Sequence, residues 1–378
     1  MSFTYRSFGT CVKKMADLVP YVPPSWVRNL RKIPSHYVEL ARRNTPIHPW
    51  HPPGLPGDFK LCIKRDDLTG STLSGNKVRK LEFLMADAIK KKCDTVITCG
   101  GIQSNHCRAT AVAARELNMD CYLLLRHKDK DPPAGYHGNL LLNRLVGSHL
   151  MLVPYEGYES GLKMRMENLA EKLRQQGKSP YVIPLGGSNE IGLFGYITAF
   201  HELTKQNVLD EFDDMVMCVG SSGTAAGIAI GNYLTGNKLK CHAVNVCDDA
   251  AFFYKCVNEE LVSVGLTDVH AEDILDIIEG YKGKGYAVST TEELEDIVRI
   301  SSTTGIMLDP VYTIKSVRGM LAEMKNNPSR FKGKRVLYIH TGGVFGLFDG
   351  RIEPVLEAMG VSNHVTMWKD AANHVPAL

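Results

Sequence analysis

Short apolar runs alternate with amphipathic stretches along most of the chain. The runs predict strands at Thr95–Cys99, Cys121–Leu125, His149–Val153, Tyr181–Leu185, Met215–Val219, His242–Cys247 and Arg335–His340. Apolar positions at helical spacing predict helices at Asn105–Leu117, Gly161–Gln175, Ile191–Lys205, Thr224–Leu234 and Thr291–Ser302, between nearly all of these strands. Such alternation is the mark of an α/β chain whose parallel sheets are built from strand–helix–strand units. Val96-Ile97-Thr98 is apolar on both faces, as a parallel strand covered by helices must be. The first four strands are expected in one mostly parallel twisted sheet and the later ones in a second. Upstream, Pro20 to Pro56 is dense in proline and reads as an extended arm with a short helix near Ser35 to Arg43, wrapping a lobe or a partner subunit.

One amphipathic stretch begins unusually. Val78, Leu81, Leu84, Met85, Ala88 and Ile89 fall on one helical face, and Ser74, Gly75 and Asn76 supply start signals. Lys77, Arg79 and Lys80 therefore crowd the positive end of a helix dipole. A solvated basic helix start is the plain reading. The sharper one places an anion at the same end, with Lys80 meeting it and Lys77 as a reactive amine. A lysine desolvated among cations loses proton affinity and can form a Schiff base.

At 378 residues the chain exceeds the usual size of one domain, so two lobes are expected. A net charge of +3 is too small to argue for nucleic acid or a membrane surface, and no apolar run reaches membrane-spanning length. The 10 cysteines are scattered without a Cys-x-x-Cys, so buried free thiols in a reducing compartment are expected, with no disulfide and no metal site. That favours the cytoplasm. Met1 to Val19, with Arg6, Lys13 and Lys14 against Asp17, faintly resembles a mitochondrial presequence but is short of arginine; a solvated extension is the expectation, with mitochondria as the alternative.

In parallel folds ligands bind at the carboxyl ends of strands, and four such ends are unusual. Cys99-Gly100-Gly101-Ile102-Gln103-Ser104-Asn105-His106 is at least a turn and a helix cap, yet its three hydrogen-bonding side chains at a helix start also suit a carboxylate. Leu185-Gly186-Gly187-Ser188-Asn189 is either a crossover between lobes or a ligand contact. Val219-Gly220-Ser221-Ser222-Gly223-Thr224 joins a strand to a helix and can make a nest of N–H groups for one phosphate. A dinucleotide is its rival, since Asp248 and Asp249 end the next strand, but the glycine spacing is not G-x-G-x-x-G. His340-Thr341-Gly342-Gly343 is the fourth. Tyr286 follows Gly285, and Tyr312 lies in Asp309-Pro310-Val311-Tyr312-Thr313; alone, each reads as a packed loop aromatic.

Taken together, a Schiff-base lysine, a carboxylate loop and a phosphate nest are what pyridoxal phosphate catalysis on an amino acid needs. Ser-Gly-Asn-Lys77-Val-Arg-Lys, Gly-Gly-Ile-Gln-Ser-Asn-His106, Gly-Ser-Ser-Gly-Thr224 and Asp-Pro-Val-Tyr312-Thr313 resemble the D-cysteine desulfhydrase and 1-aminocyclopropane-1-carboxylate (ACC) deaminase family, over nearly everything after Pro20. The resemblance implies a two-lobed α/β fold like the tryptophan synthase β subunit (fold type II). Residues 1–78 and 195–378 would form the large lobe with the arm, and 79–194 a small inserted one. It implies that pyridoxal 5'-phosphate sits between the lobes on Lys77. Lys80 and Gly220, Ser221, Ser222, Gly223 and Thr224 would hold its phosphate. Asn105 would lie at its ring, and Thr313 and Thr341 near its pyridine nitrogen. Ser104, Asn105 and His106 would meet the substrate, with Tyr286 and Tyr312 flanking it; Lys77, Ser104 and the two tyrosines are the implied catalytic set. His106 and Thr313 match the desulfhydrase branch, where deaminases typically carry Gln and Glu. Ile314 departs from an expected glycine and adds bulk behind the ring.

The implied reaction is α,β-elimination of D-cysteine to pyruvate, hydrogen sulfide and ammonia by a homodimer. ACC deamination to 2-oxobutanoate and ammonia is the alternative. A nucleotide- or effector-binding protein that has lost catalysis is the third reading, and the presence of Lys77 argues against it.

Overall fold

A computed structural model describes residues 17–127 and 135–360. Nearly all of the presequence-like stretch, Met1 to Ala16, thus lies outside the described residues. The strands are β1 (Val19–Pro20), β2 (His36–Tyr37), β3 (Ile47–Pro49), β4 (Lys60–Lys64), β5 (Thr95–Gly101), β6 (Asp120–His127), β7 (His149–Pro154), β8 (Pro180–Val182), β9 (Asp214–Val219), β10 (Lys240–Asn245), β11 (Asp276–Ile278) and β12 (Arg335–Ile339). The helices are α1 (Asn76–Lys90), α2 (Asn105–Glu116), α3 (Gly138–Leu145), α4 (Lys163–Gln175), α5 (Phe194–Lys205), α6 (Val208–Glu211), α7 (Gly223–Leu234), α8 (Ala250–Ser263), α9 (Ala271–Ile274), α10 (Thr291–Thr304), α11 (Thr313–Asn326) and α12 (Glu353–Ala358).

Two sheets carry the architecture. One has the order β7-β6-β5-β8 and is wholly parallel; the other has the order β11-β10-β9-β12-β4-β3, parallel except for the β3 edge. All strands of the four-stranded sheet fall between β4 and β9 in the chain. The inner strands of both sheets bury both faces, while β7, at the edge of the smaller sheet, is largely exposed. On one side of the smaller sheet Val96, Leu123 and Leu125 pack with Val78, Leu81, Leu84 and Met85 of α1. On its other side Ile97, Cys99 and Leu124 meet Met166, Ala170 and Leu173 of α4. In the larger sheet Met215, Met217 and Ala243 face α5, α7 and α8, while Val216, Val244 and Tyr338 face α10 and α11. Apolar runs with no polar alternation are the direct outcome of this double covering.

Some expectations fail. The helix near Ser35 to Arg43 does not form; His36–Tyr37 pairs with Val19–Pro20 and the rest is irregular. Its backbone N–H groups find partners elsewhere: Val38 donates to the Glu82 carbonyl, and Leu40 and Ala41 donate to Glu82 Oε1. Satisfying donors on α1 removes the reason to coil. The fourth predicted strand stops at Val182, and Leu185–Gly187 forms a tight turn with Gly186 and Gly187 at φ of 68° and 64°. β4 was hidden in the sequence by Lys60 and Lys64 at its ends; Lys64 is nonetheless buried, paired with Glu202 of α5.

Candidate active site

The carboxyl ends of the two sheets face each other, and the residues singled out from sequence gather there. α1 starts at the junction. Its cap is Gly75, at φ 100°, with no side-chain cap, and a Cβ there would stand 2.9 Å from the Thr341 carbonyl oxygen. Asn76 N–H donates to that same oxygen at 3.0 Å. The expected role of Ser74 in starting the helix is not seen: its hydroxyl is buried with no partner among the described residues. Glycine is required because the helix start presses against the turn after β12.

The three cations separate. Arg79 turns away into a buried cluster, donating to Asp66 at 2.8 and 2.9 Å and to Glu202 at 3.0 and 3.1 Å. Lys77 and Lys80 remain. Lys77 Nζ lies 3.5 Å from Ser221 Oγ, and burial lowers its pKa to about 8. Lys80 Nζ donates to the Gly186 carbonyl at 3.2 Å and to Ser188 Oγ at 3.1 Å. Its pKa is also lowered, by burial first and then by the charge of Lys77. The glycine run before α5 is therefore part of the site. A Cβ on Gly186 would meet Ser221 Oγ at 2.4 Å and Lys77 Nζ at 3.6 Å.

Gly220 to Thr224 turn from β9 into the N-terminus of α7. Gly223 N–H donates to Ser188 Oγ at 3.3 Å, and a Cβ on Gly223 would come within 3.0 Å of Lys80 Nζ. Thr224 Oγ1 accepts from Asn76 Nδ2 at 3.0 Å. Glycines that leave room, a 12-residue helix starting here and a buried ammonium beside it form a cradle fitted to a phosphate. Of the two acids the dinucleotide alternative offered, Asp249 is taken: it caps α8 by accepting from Phe252 N–H at 2.8 Å.

Tyr286 and Tyr312 meet, hydroxyl to hydroxyl, at 2.5 Å. The Tyr312 ring lies on Gly220, where a Cβ would be 2.7 Å from it. Burial pushes Tyr286 up to about 12 and raises Tyr312 as well, so both are neutral near pH 7. From the other sheet, Arg126 stands opposite Gly101 in register, and its charge partly offsets the burial of Tyr286.

Ser104 caps α2, its Oγ accepting from Cys107 N–H at 3.1 Å, and Asn105 Oδ1 accepts from Asn139 Nδ2 at 2.9 Å. His106 is buried, with Nε2 2.9 Å from Thr98 Oγ1. Thr98 gives its proton to the Ile183 carbonyl, so His106 Nε2 is the donor of that pair. Burial and the charges of Lys77 and Lys80 keep the ring neutral. Thr341 Oγ1 lies 3.1 Å from Cys218 Sγ. Thr313 is more committed than its expected place by a pyridine nitrogen implies. Its hydroxyl donates to Asp309 Oδ1 at 2.7 Å and accepts from Asp309 N–H at 2.6 Å. Ile314 packs into the core with Val216, Val317 and Met320. Glu260 of α8, which accepts the Ser222 hydroxyl at 2.9 Å, carries no sequence signal.

Residues 38–342 match the family described as "Pyridoxal-phosphate dependent enzyme". The chain belongs to that family. An Arabidopsis thaliana protein named "Bifunctional D-cysteine desulfhydrase/1-aminocyclopropane-1-carboxylate deaminase, mitochondrial" is 49% identical over 369 residues, covering 93% of this chain and 90% of its own. A Thermotoga maritima protein, provisionally named an ACC deaminase, is 38% identical over 318 residues, covering 82% of this chain and 97% of its own. Among solved structures, an ACC deaminase homologue superposes with a TM-score of 0.76 at 33% identity, over 89% of this chain and 99% of that one. This pyridoxal-phosphate dependent enzyme therefore has the two-sheet fold type II architecture and takes an amino-acid substrate. Its cofactor is pyridoxal 5'-phosphate, and the cradle of Gly220 to Thr224 with Lys80 fits the phosphate. No helix among the described residues is long and apolar enough to cross a membrane.

Proposed function

We propose that this enzyme eliminates hydrogen sulfide from D-cysteine. With one water, the products are pyruvate, hydrogen sulfide and ammonia, so the reaction is that of a carbon–sulfur lyase. The bound cofactor supplies an electron sink for the pair left at the substrate's α-carbon. Lys77 would hold the cofactor, and its free Nζ would take the substrate's α-proton. Its lowered proton affinity leaves a useful share of free amine near pH 7. Ser104 and Asn105, at the start of α2, receive the substrate carboxylate, with His106 beside them as a neutral group. Within the tyrosine pair one hydroxyl donates to the other, which leaves one proton to face the departing sulfur. Ser221, Ser222, Thr224 and Lys80 would hold the phosphate, and Thr313 and Thr341 would stand near the pyridine nitrogen. On this reading 79–194 form the small lobe and the remainder the large one, and the cofactor would sit between them.

The observation that carries the choice of reaction is Thr313. A hydroxyl tied to Asp309 stands where the resemblance puts glutamate in deaminases. The bifunctional name of the Arabidopsis relative supports desulfhydration and also supports ACC deamination as the second reading. We place the enzyme in the cytoplasm as a homodimer, with the relative's mitochondrial name supporting the other compartment. A panel of D- and L-cysteine, D-serine, β-chloro-D-alanine and ACC tests the reading. Pyruvate and sulfide from D-cysteine are expected; 2-oxobutanoate from ACC with no pyruvate from D-cysteine would replace it by the second.

A further inference from the structure

A buried carboxylate stands behind the phosphate cradle. Glu260 projects from α8, and its Oε1 accepts the Ser222 hydroxyl at 2.9 Å. Its Oε2 is buried with no hydrogen-bond partner among the described residues. The charged groups that face it are Lys80 on α1, Glu259 on its own helix and Glu190 from the loop before α5, with Lys77 beyond Lys80. Lys80 does not bond it; that ammonium is engaged by Gly186 and Ser188. Burial raises the Glu260 pKa to about 7, against the pull of Lys80 and Ser222. A bare, ionised oxygen in such a place is costly.

Ser222 has one proton to give. When Glu260 is ionised, that proton points at the carboxylate and Ser222 turns only lone pairs toward the cradle. When Glu260 is protonated, its O–H donates to Ser222 Oγ, and the Ser222 proton is free for a phosphate oxygen. A phosphate anion then meets a donor, and no second negative charge lies behind it.

We propose that Glu260 is a positioning residue for the cofactor: it holds a proton while the phosphate is bound and so makes Ser222 a phosphate donor. The inference rests on the phosphate-cradle reading given under the proposed function. The proton comes from solvent on binding and returns on release, with no bond to carbon made or broken. Binding that raises a group's proton affinity is strongest below that group's free pKa and weakens as pH rises through it. Cofactor affinity should thus fall from neutral to alkaline pH.

The test uses full-length protein stripped of cofactor and then titrated with pyridoxal 5'-phosphate and with pyridoxal, from about pH 6.5 to about pH 8.5. Over that range the wild type should lose about tenfold more affinity for pyridoxal 5'-phosphate than Glu260→Gln, whose amide donates to Ser222 without titrating. Phosphate, Lys77 and Lys80 titrate in both proteins, so the difference reports Glu260 together with its pull on Lys80. Calorimetry in buffers of different protonation heat should show the wild type taking up more protons than the variant. Should Glu260→Gln not fold, Ser222→Ala removes the group through which Glu260 acts and should abolish the same excess. Equal pH dependence and equal proton uptake in wild type and variant would overturn the proposal while leaving the cradle in place. Pyridoxal binding as tightly as its phosphate in the wild type would overturn the cradle and the proposal with it.

Discussion

Tyr286 and Tyr312, 26 positions apart in the chain, share a hydroxyl-to-hydroxyl hydrogen bond of 2.5 Å directly beside Gly220. One tyrosine comes from the loop after β11 and the other from the turn before α11, so the pair ties two loops to the end of β9. Both rings are held neutral by burial, which makes them proton donors and not bases at neutral pH.

Removing either hydroxyl leaves the other without its buried partner and, on the proposed reaction, would take a proton donor from the leaving sulfur. Tyr312→Phe and Tyr286→Phe should each lower D-cysteine turnover by roughly 10²-fold, the range of lost general acid–base assistance. The visible absorbance of bound cofactor should stay. Steady-state pyruvate release together with an absorption spectrum checks both halves; a variant with full turnover would return the pair to a packing role.

Lys77 sets a second expectation. Its folded pKa is lowered to about 8, below the ordinary lysine value, so the free amine is favoured in the folded protein. Only the free amine captures the cofactor. The capture rate of cofactor-free protein should rise about tenfold per pH unit below that value and level off above it. Stopped-flow absorbance measures this directly. Lys77→Ala should lose both the visible band and turnover.

Arg79 is expected to matter for stability and not for cofactor binding. It is buried between Asp66 and Glu202, with Lys64 on the same glutamate. Breaking one partner of such a cluster leaves charges buried and unpaired, so Arg79→Ala should cost about 3–5 kcal/mol. Denaturant unfolding of the holoenzyme reads that loss. Lys80→Ala, by contrast, should weaken cofactor retention more than it lowers unfolding stability.

What could be foreseen from the chain alone follows a physical divide. Parallel strands such as Thr95–Gly101 are apolar on both faces and announce themselves locally; so do glycine turns at strand ends, and so does a lysine at the mouth of a helix. Features decided by distant partners do not. The helix expected near Ser35 was lost to Glu82 on α1, whose carboxylate and carbonyl take the donors a helix would have used. β4 ends in lysines, and only Glu202 on α5 explains how Lys64 is buried. Arg79 looked like one of three cations waiting for an anion, yet its anions are Asp66 and Glu202. Glu260 sits unmarked in a helix, since the Ser222 hydroxyl that bonds it and the Lys80 charge that acts on it come near only in three dimensions.

Thr313 brings these threads to the choice of reaction. A carboxylate beside a pyridine nitrogen keeps a proton there, and a protonated ring is the stronger electron sink. Opening the cyclopropane of ACC offers no α-proton to remove and a poor leaving carbon, so it needs that sink; expelling a thiolate does not. The wild type should release pyruvate from D-cysteine and leave ACC essentially untouched, which a two-substrate assay measures. The carboxylate already at this place, Asp309, is occupied: it accepts from the backbone N–H groups of Val311, Tyr312 and Thr313 and from the Thr313 hydroxyl. Thr313→Val would strip one of those donors from a fully buried acid and should destabilise the fold by about 1–3 kcal/mol, with Thr313→Ser restoring it. Thr313→Glu does more harm than a simple gain of charge suggests. It sets a second carboxylate against Asp309, and two buried like charges drive one of them to hold a proton. D-Cysteine turnover should therefore fall in Thr313→Glu without efficient ACC turnover appearing, and the loss should be accompanied by lower stability. Efficient ACC deamination by the wild type would overturn this branch of the reading and leave the fold and the cofactor standing.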